Sequence, residues 1–142
     1  MKNLITILSI LFIFSSCSRS TNNNEEVPDV PTPKEFVGKW KLVEICQSDG
    51  SSTCDFKPFD SGKVYDVEYK KDGTLYGNGE PSNCANGTFY FSKDLKVLNL
   101  KFNCQTQYTT TNIMSISSTE MLLGYQFLDP EMRRYKKIET SN

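Results

Sequence analysis

Cysteine carries most of the chemistry open to this chain. Its 142 residues include five cysteines and no histidine. Without imidazole there is no serine–histidine or cysteine–histidine nucleophile, and the usual general base and metal ligand are missing too. Cys17 stands apart from the other thiols. It follows a basic start at Lys2, an apolar run over 4–14 and two small residues, Ser15 and Ser16, the layout of an export signal. The run is about half the roughly 20 residues a spanning helix needs. The other four, Cys46, Cys54, Cys84 and Cys104, form an even set in a chain bound for an oxidising compartment. Three pairings are open to them. Cys46 and Cys54 flank a polar loop centred on Gly50 and could staple its two ends, whereas Cys84 and Cys104 lie nearly symmetrically about Asp94 and could face each other across a hairpin. The spacing favours Cys46–Cys54 and Cys84–Cys104. A four-cysteine zinc site is the competing use, but the gaps lack paired C-x-x-C spacing, so neither metal nor cofactor is expected. Asp66 and Glu68 are the one close carboxylate pair in a strand-like segment. Alternation puts both outward, as solvated surface, so no catalytic residue is assigned and the chain is read as a non-enzyme.

The residues around Cys17 resemble the lipobox of bacterial lipoproteins, with Phe14 where that motif usually carries leucine. The resemblance implies a signal peptide over 1–16 that is removed, leaving Cys17 as the acylated N-terminus. The mature protein is then expected in the bacterial cell envelope, lipid-anchored, most simply at the outer membrane. One buried acyl chain anchors only marginally, whereas several hold a protein permanently.

Residues 17–35 read as the lipidated cysteine and a tether. Pro28, Pro31 and Pro33 follow the run Asn22-Asn23-Asn24-Glu25-Glu26, with almost nothing to bury. Proline at this density favours extended polyproline II at about 3.1 Å per residue, a reach on the order of 50 Å. Residues 36–139 suffice for one domain with a real core. Net charge is −1 and no basic stripe is visible, so nucleic acid is not an expected partner.

From residue 36 onward the chain is a series of period-two segments broken by turn residues, the pattern of an all-β domain. Segments 36–45, 64–69, 74–77, 88–91, 97–102, 107–117, 120–127 and 132–139 give eight strands with mostly short connections. Lys71-Asp72-Gly73 supplies an Asp-Gly turn and Asp129-Pro130 separates the last two segments. Eight antiparallel strands in a meander can close into an up-and-down barrel that exposes no edge; a two-sheet sandwich is the alternative. Val64–Tyr69 alternates so that Tyr65, Val67 and Tyr69 share a face. If Phe89 and Phe91 point inward beside Leu98 and Leu100, Cys84 falls one residue out of line with Cys104, and a bulge at Asn86-Gly87 would reconcile them.

Gly38-Lys39-Trp40-Lys41-Leu42-Val43 resembles the G-x-W opening of lipocalins. More closely, the chain is similar to lipocalin-like lipoproteins of Bacteroidota envelopes, small calycin-like barrels behind a lipobox. Lys71-Asp72-Gly73-Thr74, the segment 87–91, Leu98-x-Leu100, the segment 116–123 and Tyr135-x-Lys137 fit that group in order and spacing. The resemblance spans about 36–139. It implies an eight-stranded antiparallel barrel whose interior is either an apolar cavity or filled, and it implies no assigned ligand; the chain is shorter than the larger lipocalins and lacks their C-terminal helix.

Trp40, Phe89, Phe91, Leu98, Leu100, Leu123 and Tyr125 form the expected inward set. They either line a pocket for a small hydrophobic ligand, with tyrosine hydroxyls as polar contacts, or simply fill the barrel; Trp40 fits a plug at one end. A second class of function is an interaction or inhibitor module that binds an envelope or host protein, or a glycan, through its loops. Phe56 and Phe59, in the segment between Cys46 and Val64, are the expected contacts there, unless they pack beneath the loop.

Overall fold

The computed structural model describes residues 28–47, 54–126 and 130–139. Cys17, the signal segment and most of the tether lie outside the described residues. Among those described, every regular element is a strand: β1 (Gly38–Gln47), β2 (Lys57–Pro58), β3 (Val67–Tyr69), β4 (Thr74–Gly77), β5 (Asn86–Phe91), β6 (Val97–Phe102), β7 (Thr109–Ile116), β8 (Glu120–Tyr125) and β9 (Glu131–Ile138). Strands β3 to β9 follow one another as a meander. β9 then returns antiparallel to β1, and β1 pairs with β3, so the sheet closes on itself. Eight strands make the wall, as the alternation implies, and closure rules out the sandwich. β2 was not expected. It adds two residues beside the far half of β1, Glu44↔Pro58 and Ile45↔Lys57, covering an edge that short β3 leaves unpaired.

The inner face follows the period-two pattern. In β5 and β6 the register sets Phe89 opposite Leu100 and Phe91 opposite Leu98, and all four are core residues. Turn chemistry fixes the hairpins. Asp72 accepts hydrogen bonds from the Thr74 amide (3.0 Å) and hydroxyl (2.7 Å) while Gly73 takes φ +80°, as an Asp-Gly turn requires. Asp94 likewise accepts from the Ser92 hydroxyl (2.6 Å) and the Lys96 amide (3.2 Å).

Two register shifts bend the wall, one between Leu42 and Glu44 in β1 and one between Ile113 and Ser115 in β7. The first keeps Trp40 and Leu42 inward and then brings Ile45 and Gln47 to the inner face, opposite Arg133 and Glu131.

Three expectations are corrected. The β5–β6 ladder runs without a bulge, and Asn103 N still donates to Asn86 O at 2.8 Å. Cys84 and Cys104 lie beyond it in turns, where strand register no longer applies. Gly87 is needed for a different reason, since a β-carbon there would collide with the Lys101 carbonyl. Asp66 is more than solvated surface: its carboxylate accepts the Leu42 amide at 2.7 Å, supplying the partner that β3 fails to give β1. Tyr65 precedes β3 and places its ring 4.9 Å from the Lys39 ammonium instead of joining the core.

Candidate functional site: the barrel interior and its mouth

The barrel has two unlike ends. At the base, Phe36 is fully buried and its ring lies 4.3 Å from Tyr69, 4.9 Å from Phe91 and 5.6 Å from Phe89, centre to centre. Tyr69–Phe89 and Phe89–Phe91 meet edge-on at 5.1 and 5.8 Å. These tilted and T-shaped contacts are the favourable aromatic arrangements. Trp40 is fully buried at this end and donates its indole N–H to the Phe36 carbonyl at 2.9 Å. Val30, within the segment read as tether, is half-buried against this core.

The mouth carries the long connections and both crosslinks. Cys46–Cys54 and Cys84–Cys104 are bonded, with α-carbons 5.8 and 4.8 Å apart, as favoured from spacing. The four thiols are thereby withdrawn from any zinc site. Among the described residues no group of three or more carboxylates or thiols could hold a metal ion.

All seven residues of the expected inward set are buried, none above 8 % exposure. The structure nonetheless divides them. Phe89 and Phe91 belong to the aromatic block with Phe36, and Trp40 lies at the base. Toward the mouth, Tyr125 joins residues the sequence reading left out. The Tyr125 and Tyr135 hydroxyls are 3.4 Å apart. The Arg133 guanidinium carbon lies 4.6 Å from the Tyr125 ring centre, within cation–π range. Arg133 Nε donates to Glu131, whose other carboxylate oxygen accepts from Gln47 Nε2 at 3.4 Å. Thr111, the buried polar side chain among the described residues, donates its hydroxyl to the Gly124 carbonyl at 2.9 Å.

The electrostatics follow from burial. Desolvation pushes the Tyr69, Tyr125 and Tyr135 phenols above their ordinary range, because a buried phenolate loses its hydration. For Arg133 burial opposes the charge, but a guanidinium does not shed its proton in a protein, and the Glu131 carboxylate beside its Nε stabilises the cation. A fixed cation therefore sits among neutral hydroxyls at the upper end of an otherwise apolar interior.

The two loop aromatics separate. Phe56 stacks against Arg134 (4.6 Å), which pairs with Glu44 at 3.2 Å, so this ring pins the loop to the outer wall. Phe59 stays 40 % exposed, and its backbone N–H donates to the Val43 carbonyl at 2.8 Å. Lys41 ties the same loop down through Asp60 (2.8 Å), Ser61 and the Lys63 carbonyl.

The described strands form a closed eight-stranded antiparallel meander with an aromatic block at one end. A family model described as a lipocalin-like domain matches residues 36–123, and the chain belongs to that family. No curated protein and no solved structure matches it significantly.

Proposed function

We propose that this protein is a lipid-anchored envelope protein whose lipocalin-like barrel binds a small hydrophobic ligand without catalysing a reaction. The observation that carries the ligand reading is the asymmetric interior. An aromatic block closes the base, while apolar Leu100 and Leu123 lead up to a polar cluster at the mouth that a filled core has no need of. Sites for small molecules are typically apolar walls with a few convergent polar groups. The anchoring half rests on Cys17 and the signal layout before it, and the two disulfides fit an oxidising compartment.

Native mass spectrometry of gently purified protein tests the first half. A co-purifying small molecule lost on denaturation supports ligand binding; an empty barrel that also takes up no alkyl probe removes it. Palmitate labelling in a bacterial host tests the second. Incorporation abolished by Cys17→Ser supports the anchor, and equal labelling of both proteins ends it.

A further inference from the structure

The base of the barrel differs from the mouth in charge and in what its turns expose. Phe36 is fully buried among Tyr69, Phe89 and Phe91, and Val30 packs against the same core, so the chain coming from Cys17 arrives at this end. Ten residues, 18–27, separate Cys17 from Pro28, a span of at most about 40 Å. Around the same end stand the β3–β4 turn with Lys70 and Lys71, the β5–β6 turn with Lys93 and Lys96, and Lys34 just before β1. β4 pairs with β5, which makes the two turns neighbours on the rim. These lysines are exposed, and the four in the turns make no ion pair among the described residues. The nearby carboxylates are turned back into the fold. Asp72 accepts from Thr74, Asp94 from Ser92 and the Lys96 amide, and Glu35 lies 4.0 Å from Lys34. Glu68 is the cross-strand partner of Lys39, while Glu120 and Glu139 belong to β8 and the end of β9, across the rim. The described connections at the mouth show no such excess, since Asp55, Asp60 and Glu80 accompany Lys57 and Lys63 there.

Leu95 stands at the tip of the β5–β6 turn between Lys93 and Lys96, with φ +58° and 42 % of the residue exposed. Glycine or asparagine takes such a left-handed position at less cost, and this leucine gains no full burial in return. An apolar side chain ringed by cations suits the head-group region of a bilayer. There the ammoniums meet anionic lipid and the apolar group reaches the acyl boundary. From this juxtaposition we infer that the base of the barrel is a docking surface for an anionic phospholipid bilayer. Lys34, Lys70, Lys71, Lys93 and Lys96 lie over the head groups and Leu95 inserts among them. The barrel then stands base-down on the membrane that holds it, and its mouth faces away.

This inference rests on the anchoring reading above, because a tether supplies the local concentration that a few lysines need. The test takes protein expressed with its own leader, purified from the host and mixed into vesicles of phosphatidylcholine alone or with an equal part of phosphatidylglycerol. Hydrogen exchange is then read segment by segment. On the mixed vesicles, amides of 70–73 and 93–96 should exchange about tenfold more slowly than on the neutral ones, with 78–85 at the mouth unmoved. The protection should vanish in about 1 M salt, where charges are screened within about 3 Å. Lys93→Gln combined with Lys96→Gln should weaken docking about fivefold for each lysine. Leu95→Gly should weaken it several-fold while raising the melting temperature, a pair of effects that a merely structural leucine does not give. Protein bound to both vesicles with equal exchange at the base turns overturns the docking surface and leaves the anchor intact. Protection of those turns by envelope proteins but not by lipid overturns it in favour of a protein partner. Protein that stays free of neutral vesicles overturns the anchor; base protection on the mixed vesicles then still supports the surface, and its absence ends that as well.

Discussion

Lys137 spans the base of the barrel. Its ammonium donates to the Glu35 carbonyl at 2.7 Å and lies 5.1 Å from the centre of the Trp40 ring. One side chain from the last strand thus fastens the approach to β1 and covers the Trp40 ring. The same geometry explains Gly38, which takes φ +134° and whose absent β-carbon would meet Lys137 Cε at 2.8 Å. Gly38→Ala should cost about 1–3 kcal/mol from backbone strain alone. Combined with Lys137→Ala, the two losses should be less than additive, because the steric part is relieved. Chemical denaturation of the two single variants and the double variant measures this directly.

Leu95 is the one described non-glycine residue with positive φ, at +58°. It caps the β5–β6 turn through its N–H to the Ser92 carbonyl at 2.9 Å, with 42 % of the residue exposed. A left-handed conformation costs an L-residue about 1–2 kcal/mol. Leu95→Gly should therefore stabilise the barrel, by up to about 1 kcal/mol after the added freedom of the unfolded chain is counted. A melting temperature that falls would contradict this.

Acid and base should act on different parts of the molecule. Hydrogen bonds from Thr74 and Ser92 hold the Asp72 and Asp94 carboxyls below their ordinary 3.8. Their contribution is present above that value and is lost as pH falls below it. The buried tyrosines behave oppositely. Raised phenols contribute stability that is intact below about pH 10 and fades as pH climbs beyond it. Of the seven tyrosines, Tyr69, Tyr125 and Tyr135 should resist ionisation until the barrel opens. A 295 nm titration read alongside circular dichroism checks the coincidence.

The two loop phenylalanines should differ in kind. Phe56→Ala removes the ring beneath Arg134 and should lower stability by about 1 kcal/mol. Phe59→Ala should be near neutral for folding, since surface substitutions usually fall within about 0.5 kcal/mol. If a protein partner docks on this loop, Phe59→Ala alone should weaken its capture from envelope extract at unchanged melting temperature.

Replacing Cys84 and Cys104 by alanine opens a crosslink of sequence separation 20. Chain-entropy reasoning puts the loss at about 3 kcal/mol, and somewhat less for Cys46–Cys54, whose separation is 8. Urea midpoints of the two double variants should fall in that order.

Much of the fold was legible because period-two alternation on β5, β6 and β8 is clean: Phe89, Phe91, Leu98, Leu100 and Leu123 announce one buried face. The cysteine pairing was legible for a similar reason, each pair bracketing a single turn unit. The upper interior was not. β9 reads Glu-Met-Arg-Arg-Tyr-Lys-Lys-Ile, with charge on both faces, so nothing local marks Arg133 as inward. Only pairing with Leu123 across the ladder reveals it. Asp66 escaped for a related reason. Its role depends on β3 ending short of Leu42, a fact of two strands and not of one. The two-residue β2 carries no pattern that alternation could detect.

The pairing of β1 with β9 joins the first strand of the domain to the last. A ribbon that meets its own beginning cannot shut while any part of it is still being made. Contacts of such long range are slow to form, and until the final residues arrive both edges stay open to other chains. Truncation within β9, even by a few residues, should therefore produce aggregation-prone species instead of a slightly weakened barrel.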